Sequence, residues 1–189
     1  MYGMVTLGLR DYTIERFGAS VWTAAAKASG VEHADFVTTS SYPDSITTAC
    51  LVAAVQASGV DAATFLEGFG AFWVLRTAEE KYPHVMRAAG GTVDQFFAAL
   101  PRLHDHVRTL LPELAPPTFS VLKQGEGKFQ VTYWSERDGL DPMVVGLLKG
   151  IAQRFGTTAQ VTMVKLRSST QDFSLFDVHL ADAGKTLSS

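Results

Sequence analysis

Hydrophobic positions along this chain follow two rhythms, and the change falls past its middle. Up to about residue 112 they recur three and four apart, which places them on one face of a helix. Val5, Leu7, Leu9, Tyr12, Ile14, Phe17, Val21 and Trp22 give a loosely amphipathic helical start. Tyr42-Pro43-Asp44-Ser45 reads as a turn in which Asp44 or Ser45 caps a helix running through Leu51 to Ala57. Gly59-Val60-Asp61 breaks that helix, and Asp61 is placed to cap the next, through Phe65, Phe69 and Trp73. A further break at Gly90-Gly91-Thr92 precedes Gln95 at capping-box spacing from Thr92. That predicts a helix starting at Val93 and ending before Pro112.

Pro116-Pro117 stops helix formation, because proline has no N–H and clashes with the preceding turn. Beyond it the rhythm shortens to the alternation of a half-buried strand. TFSVLKQ and KFQVTYW flank Gly125-Glu126-Gly127 and predict a hairpin. Pro142 to Phe155 reads as an apolar helix stopped at Gly156, and AQVTMVKLRS and DFSLFDVHL as two more strands. Helices followed by strands predict an α+β fold: a helical N-terminal lobe, then a C-terminal lobe with an antiparallel sheet and helices. The boundaries expected are one domain over 1–183, with lobes of about 1–65 and 66–183, and a frayed tail over 184–189.

Composition narrows the setting. At 189 residues, 47% hydrophobic and 19% charged, the chain is globular and can bury a core. A net charge of −3 supplies no basic field, which argues against nucleic acid and anionic membrane as partners. Cys50 is the sole cysteine, so an internal disulfide and a multi-cysteine zinc site are both excluded, and a reducing, cytoplasmic location is expected. It falls in an apolar stretch and reads as a small buried hydrophobe. The opening residues do not have the form of a signal peptide, and the longest near-apolar run, Ala49 to Ala57, is far short of the roughly 20 residues of a span. G-x-S-x-G, P-loop and H-E-x-x-H motifs are missing, so nothing points to an enzyme. Gly68-x-Gly70 reads as a site of close helix packing, and His33, His84 and His179 as surface or turn residues.

Two stretches carry candidate chemistry. In LHDHV, His104 falls on the stripe formed by Phe97, Leu100, Val107 and Leu111. His106 stands about 200° further around the helix and points away, so the two histidines cannot share a metal. Asp105 and His106 read as surface. His104 reads either as a core histidine satisfied by a backbone carbonyl, or as a neutral imidazole offered to a metal or cofactor in an apolar cavity. The second stretch is Tyr133-Trp134-Ser135-Glu136-Arg137. On an extended strand Tyr133, Ser135 and Arg137 share a face, giving a donor-rich strip suited to a dicarboxylate or a phosphate. The alternative is a solvent-facing strand edge running into a charged turn.

Together, MYGMV, LHDHVRTLLPELAPPTF and YWSERDGLDPMVVGLLKG resemble the H-NOX family, the haem nitric oxide/oxygen-binding domains of bacterial gas sensors and of the β subunit of soluble guanylate cyclase. The likeness covers nearly the whole chain. VWTAAAKASGV, SYPDSIT and GFGAFWVLRTAEEKYPHVMRAAGGTVDQFFAALPRLH stand in family order. The specific signature is a histidine after Leu-Pro-x-Leu combined with a downstream Tyr-x-Ser-x-Arg. The resemblance implies a haem b buried between the two lobes, with His104 as its iron ligand and Tyr133, Ser135 and Arg137 holding its propionates. It makes Pro117 a residue that presses on the haem, and Val5 and Leu147 residues of the distal side. It also pairs Asp44 with Arg137. A cysteine-rich zinc site, present in some relatives, is impossible here.

The choice of gas follows from the distal side. Some family members place a tyrosine early in the helix after Tyr-x-Ser-x-Arg, where it donates to bound oxygen. Met143 is the best match to it here, and none of Leu140, Pro142, Met143, Val144 and Val145 has a donor. Trp73 matches a distal aromatic, and its indole N–H is the one donor in view. An apolar pocket favours NO, and CO to a lesser degree, over oxygen. The resemblance thus implies a sensor, not an enzyme. NO would release His104, the haem would relax against Pro117 and Val5, and the lobes would shift. A separate effector, a histidine kinase or a cyclic-di-GMP enzyme, would respond. The rival readings are an oxygen-binding haem sensor or carrier and a haem-free interaction module.

Overall fold

The computed structural model describes residues 1–31, 35–110, 116–168 and 171–181, with only the backbone of His106, Arg108, Thr109 and Leu110. His33, Leu111, Pro112 and the expected tail lie outside the described residues. Two compact units divide the chain, Met1–Phe65 and Leu66 onward.

The first unit is helical. α1 (Gly3–Phe17) and α2 (Ala19–Ala28) are separate helices where the sequence predicts one stretch. Gly18 parts them: at φ 96° it adopts a conformation that costs little only without a Cβ. α3 (Asp44–Ser58) ends at Gly59 in the left-handed region. Neither Asp44 nor Ser45 caps it with a side chain. Asp44 already lies in the first turn, where its charge suits the helix N-terminus, and it pairs with the α-amino group of Met1. Small residues, Ala25 and Ala26 on α2 and Cys50, Ala53 and Ala54 on α3, fill the core between the two helices. Cys50 is buried beside the Ser29 hydroxyl, and burial pushes its thiol pKa up, as expected of a structural cysteine. A buried pair of hydroxyls, Thr6 and Thr47 at 2.8 Å, joins α1 to α3.

α4 (Ala62–Phe72) carries the chain into the second unit. Asp61 accepts the Thr64 N–H at 2.9 Å and caps it as expected, and this bond with the Thr64 hydroxyl holds the carboxyl pKa below its usual value. At Trp73 the helix widens into a π-helical segment, Trp73–Ala78, which periodicity alone does not foretell. Two short helices follow, α5 (Glu79–Lys81) and α6 (Pro83–Ala88). α7 (Val93–Leu110) starts at the predicted residue, with Thr92 accepting the Gln95 N–H at 3.3 Å and Gln95 Oε1 accepting that of Gly91 at 2.9 Å.

The second unit is built on an antiparallel sheet of β1 (Thr118–Gly125), β2 (Lys128–Trp134), β3 (Ala159–Lys165) and β4 (Phe173–Leu180), in the order β1-β2-β4-β3. The predicted hairpin turns at Glu126-Gly127, with Gly127 at φ 62°. Alternation sends Phe129, Val131 and Tyr133 of β2 inward, opposite Val178, Phe176 and Ser174 of β4. α7 lays Phe97 flat on Phe129, ring centroids 4.5 Å apart. α8 (Asp141–Arg154) buries Val144, Val145, Leu148 and Ile151 in the same core. Its backbone lies against that of α4. A Cβ on Gly70 would sit 2.1 Å from the Met143 carbonyl oxygen, and one on Gly146 would sit 1.9 Å from that of Glu67. Among the described residues no single helix is long and apolar enough to cross a membrane.

Candidate functional site

His104 lies on α7 one turn beyond Leu100. Its Nδ1 is 3.1 Å from the Leu100 carbonyl oxygen. A carbonyl only accepts, so Nδ1 donates to it, which in a neutral imidazole leaves the lone pair on Nε2. The two sequence readings of this residue are therefore compatible. One ring nitrogen is satisfied by the backbone, which is how an imidazole is oriented and made more basic as a metal ligand. The stripe is apolar as predicted: Phe97 and Leu100 are buried, and Val107 and His104 are half-buried. Asp105 is exposed, in line with a surface position, and nothing is described of the His106 side chain. Pro101 stands inside the helix and leaves the Phe97 carbonyl without its usual intrahelical donor, one turn before His104.

The histidine ring packs on Phe119 of β1, centroids 4.7 Å apart, and Phe119 in turn meets Tyr133 at 5.3 Å. Phe119 is the direct ladder partner of Tyr133. This buried ring thus connects the candidate ligand to the donor strip. Its only sequence signal is its inward phase in TFSVLKQ.

The strip itself is built differently from the prediction. β2 ends at Trp134, and Ser135 to Gly139 form a bend, not an extended strand. The cause is local: Ser135 Oγ accepts the Arg137 N–H at 3.0 Å, and Gly139 adopts φ 77°. The three residues still converge. Ser135 hydrogen-bonds the Tyr133 phenol, and the charge of Arg137 acts on it. Burial pushes the Tyr133 pKa up above all, and Asp141 at the start of α8 adds to that. Ser135, Arg167 and Arg137 oppose it. The phenol is therefore held protonated, as a donor. Arg167 and Asp141 belong to this corner and were not foreseen. Arg167 sits beyond the end of β3, where strand periodicity says nothing about what its side chain meets.

The remaining predicted residues divide between the units. Trp73, Met143 and Leu147 lie in the second, all half-buried. The backbones of Met143 and Leu147 press on Gly70, and Trp73 follows one turn along the same helix, its ring edge-on to Phe69 at 6.0 Å. Pro117 is half-buried just ahead of β1, and Val5 is half-buried on α1 in the first unit. Of the unassigned histidines, His84 and His179 are exposed, as expected. Among the described residues no group of three or more His, Cys, Asp or Glu is placed to hold a metal ion. A metal held by a chelating cofactor would need only one bond from the protein, which His104 could give.

Comparison with known proteins identifies a family. The family model for haem-NO-binding matches residues 2–163. The soluble guanylate cyclase gcy-31 of Caenorhabditis elegans is 25% identical over 175 residues, which is 93% of this chain and 25% of that protein. The chain thus spans a quarter of the length of that relative. Among solved structures, an H-NOX protein from S. oneidensis in the Fe(II)NO ligation state superposes with a TM-score of 0.84 at 20% identity, covering 96% of this chain and 100% of that one. An oxygen-binding H-NOX domain related to soluble guanylate cyclases gives a TM-score of 0.79 at 18% identity, covering 95% and 94%. At these identities the structures establish a shared fold.

Proposed function

The chain belongs to the haem-NO-binding family, and on that premise we propose that it is a haem-based gas sensor for NO, and for CO, holding haem b through His104. When bound, haem would supply a ferrous iron able to take up a diatomic gas. Everything else is the work of this chain. His104 directs Nε2 to the metal, with Nδ1–H fixed on Leu100. Tyr133, Ser135 and Arg137 hold the propionates by hydrogen bonds and charge. Pro117 packs against the macrocycle. Trp73, Met143 and Leu147 would offer the gas an apolar lining in which only the Trp73 indole has a donor. An oxygen ligand draws charge onto itself and needs a donor aimed at it, and apart from that indole the lining supplies none. NO needs no donor, which is why this lining favours NO.

The single observation behind the reading is a backbone-anchored Nδ1 on an apolar helix face, one ring away from Tyr133. His104 is then the switch. Held there, it would tie α7 to the cofactor, and its release would leave α7 its other contacts with the sheet, the Phe97–Phe129 stack and the Asp94–Lys123 ion pair among them. The output passes to a separate effector, a histidine kinase or a cyclic-di-GMP enzyme. No role with nucleic acid or membrane is proposed, in keeping with the net charge of −3.

The test is the purified protein itself. It is expected to be red with a Soret band, and His104→Gly is expected to lose haem unless imidazole is supplied. A colourless protein, or a His104→Gly variant that keeps haem without imidazole, would sink the reading.

A further inference from the structure

Two guanidiniums act on the Tyr133 phenol, and the sequence motif accounts for one. We propose that Arg167 is a second carboxylate-binding residue of this corner, taking one carboxylate of a dicarboxylate ligand while Arg137 takes the other. The inference rests on the haem reading above, since haem carries two propionates.

Three observations place Arg167 there. Its backbone N–H donates to Ser174 Oγ at 3.0 Å. Ser174 is buried and stands directly opposite Tyr133 in the β2–β4 ladder. The root of Arg167 is therefore pinned one strand away from the phenol. Its guanidinium pairs with Asp138, in the same bend that carries Arg137. Finally, its charge favours the Tyr133 phenolate ahead of that of Arg137.

The state of the Arg167–Asp138 pair indicates what Arg167 is for. Arg167 is well shielded, its side chain 24% exposed, while that of Asp138 is 89% exposed. A pair with one solvated partner is weak, and releasing Asp138 to water costs little. The half-buried guanidinium has more to gain from a carboxylate that meets its planar fork away from bulk solvent. Asp138 thus stands in for a ligand carboxylate. The charge balance agrees. Asp141 adds a negative charge to the corner, and its Oδ1 is buried with no hydrogen-bond partner among the described residues. Arg137 alone would leave a dianionic ligand facing a net neutral corner. With Arg167, and with Asp138 swung away, the corner is positive.

The experiment measures the rate at which haem passes from the holoprotein to an excess of apomyoglobin. Wild type, Arg167→Gln and Asp138→Asn are compared, each loaded with haem and with haem dimethyl ester, which has no free carboxylates. Circular dichroism and thermal melts check the fold, and the anchoring N–H of Arg167 belongs to the backbone and survives the change. Arg167→Gln is expected to speed haem loss about tenfold, the value of one charge-assisted hydrogen bond. It is expected to have no effect with the ester. Asp138→Asn, which removes the internal competitor, is expected not to speed haem loss. Equal acceleration by both variants would make Arg167 only a clamp on the bend and would overturn the proposal, as would an equal effect of Arg167→Gln on haem and ester. Haem uptake that is indifferent to Arg167→Gln defeats this inference alone. A wild-type protein that takes up neither porphyrin defeats the haem reading beneath it.

Discussion

At the residue scale the chemistry rests on small preferences of single side chains. His104 is defined by which nitrogen holds its proton, and a backbone carbonyl one turn back settles that. Tyr133 is defined by burial, which keeps it a donor. That has a consequence with a definite sign. Its folded pKa lies above the ordinary phenol value of 10.0, so the native state holds the proton after the unfolded chain has lost it. The stabilisation is complete below pH 10 and is lost as pH rises through the higher folded value. The urea midpoint should therefore fall above pH 10, and less steeply in Tyr133→Phe. Equal slopes would show that the phenol is not held protonated by the fold. The comparison has to be made against that variant, because burial raises Tyr12 and Tyr82 as well.

At the element scale the sequence was most legible where local chemistry decides. Asp61 and the Thr92–Gln95 pair announce α4 and α7, and the structure uses them as caps. The alternation in KFQVTYW and DFSLFDVHL gives the strands and their inward faces. It was least legible where two segments must meet. The extended run expected through Arg137 stops at Trp134 because a serine hydroxyl captures a nearby N–H. The π-helical turn at Trp73 has no periodic signature, and the segment packs directly against α8. The α4–α8 approach makes its own prediction. A Cβ at Gly146 would lie 1.9 Å from a backbone oxygen of Glu67, with no flexible side chain to yield. Gly146→Ala should cost about 1–3 kcal/mol and move α8. It should lower the melting temperature, whereas Gly125→Ala, with nothing within 4 Å of the added Cβ, should leave it in place. An unchanged melt for Gly146→Ala would mean that α8 and α4 do not touch backbone to backbone.

For the whole molecule, the question is which gas the proposed haem site would admit. The donor-poor residues Met143, Leu147, Val144 and Val145 argue for NO and CO over oxygen. In air the ferrous protein should form no stable oxygen complex, while CO and NO should each shift the Soret band. Persistent oxygen spectra would instead identify an oxygen binder, and Trp73→Phe would then show whether the indole N–H is the donor. Removal of that complex by the substitution would assign it.

The sequence alone determined the α+β order, the caps of α4 and α7, the inward phase of β2 and β4, and the separation of His104 from His106, because each follows from the pitch of a helix or the pleat of a strand within a few residues. The motifs also named Tyr133, Ser135 and Arg137, which lie within five residues of one another. Only the tertiary structure placed Phe119 between His104 and Tyr133, brought Arg167 and Asp141 to the phenol, and pressed Gly70 and Gly146 onto a neighbouring backbone. Those contacts join positions on different elements, most of them well separated along the chain. They are fixed by sheet register and helix packing, and no local propensity encodes which side chains such packing brings face to face.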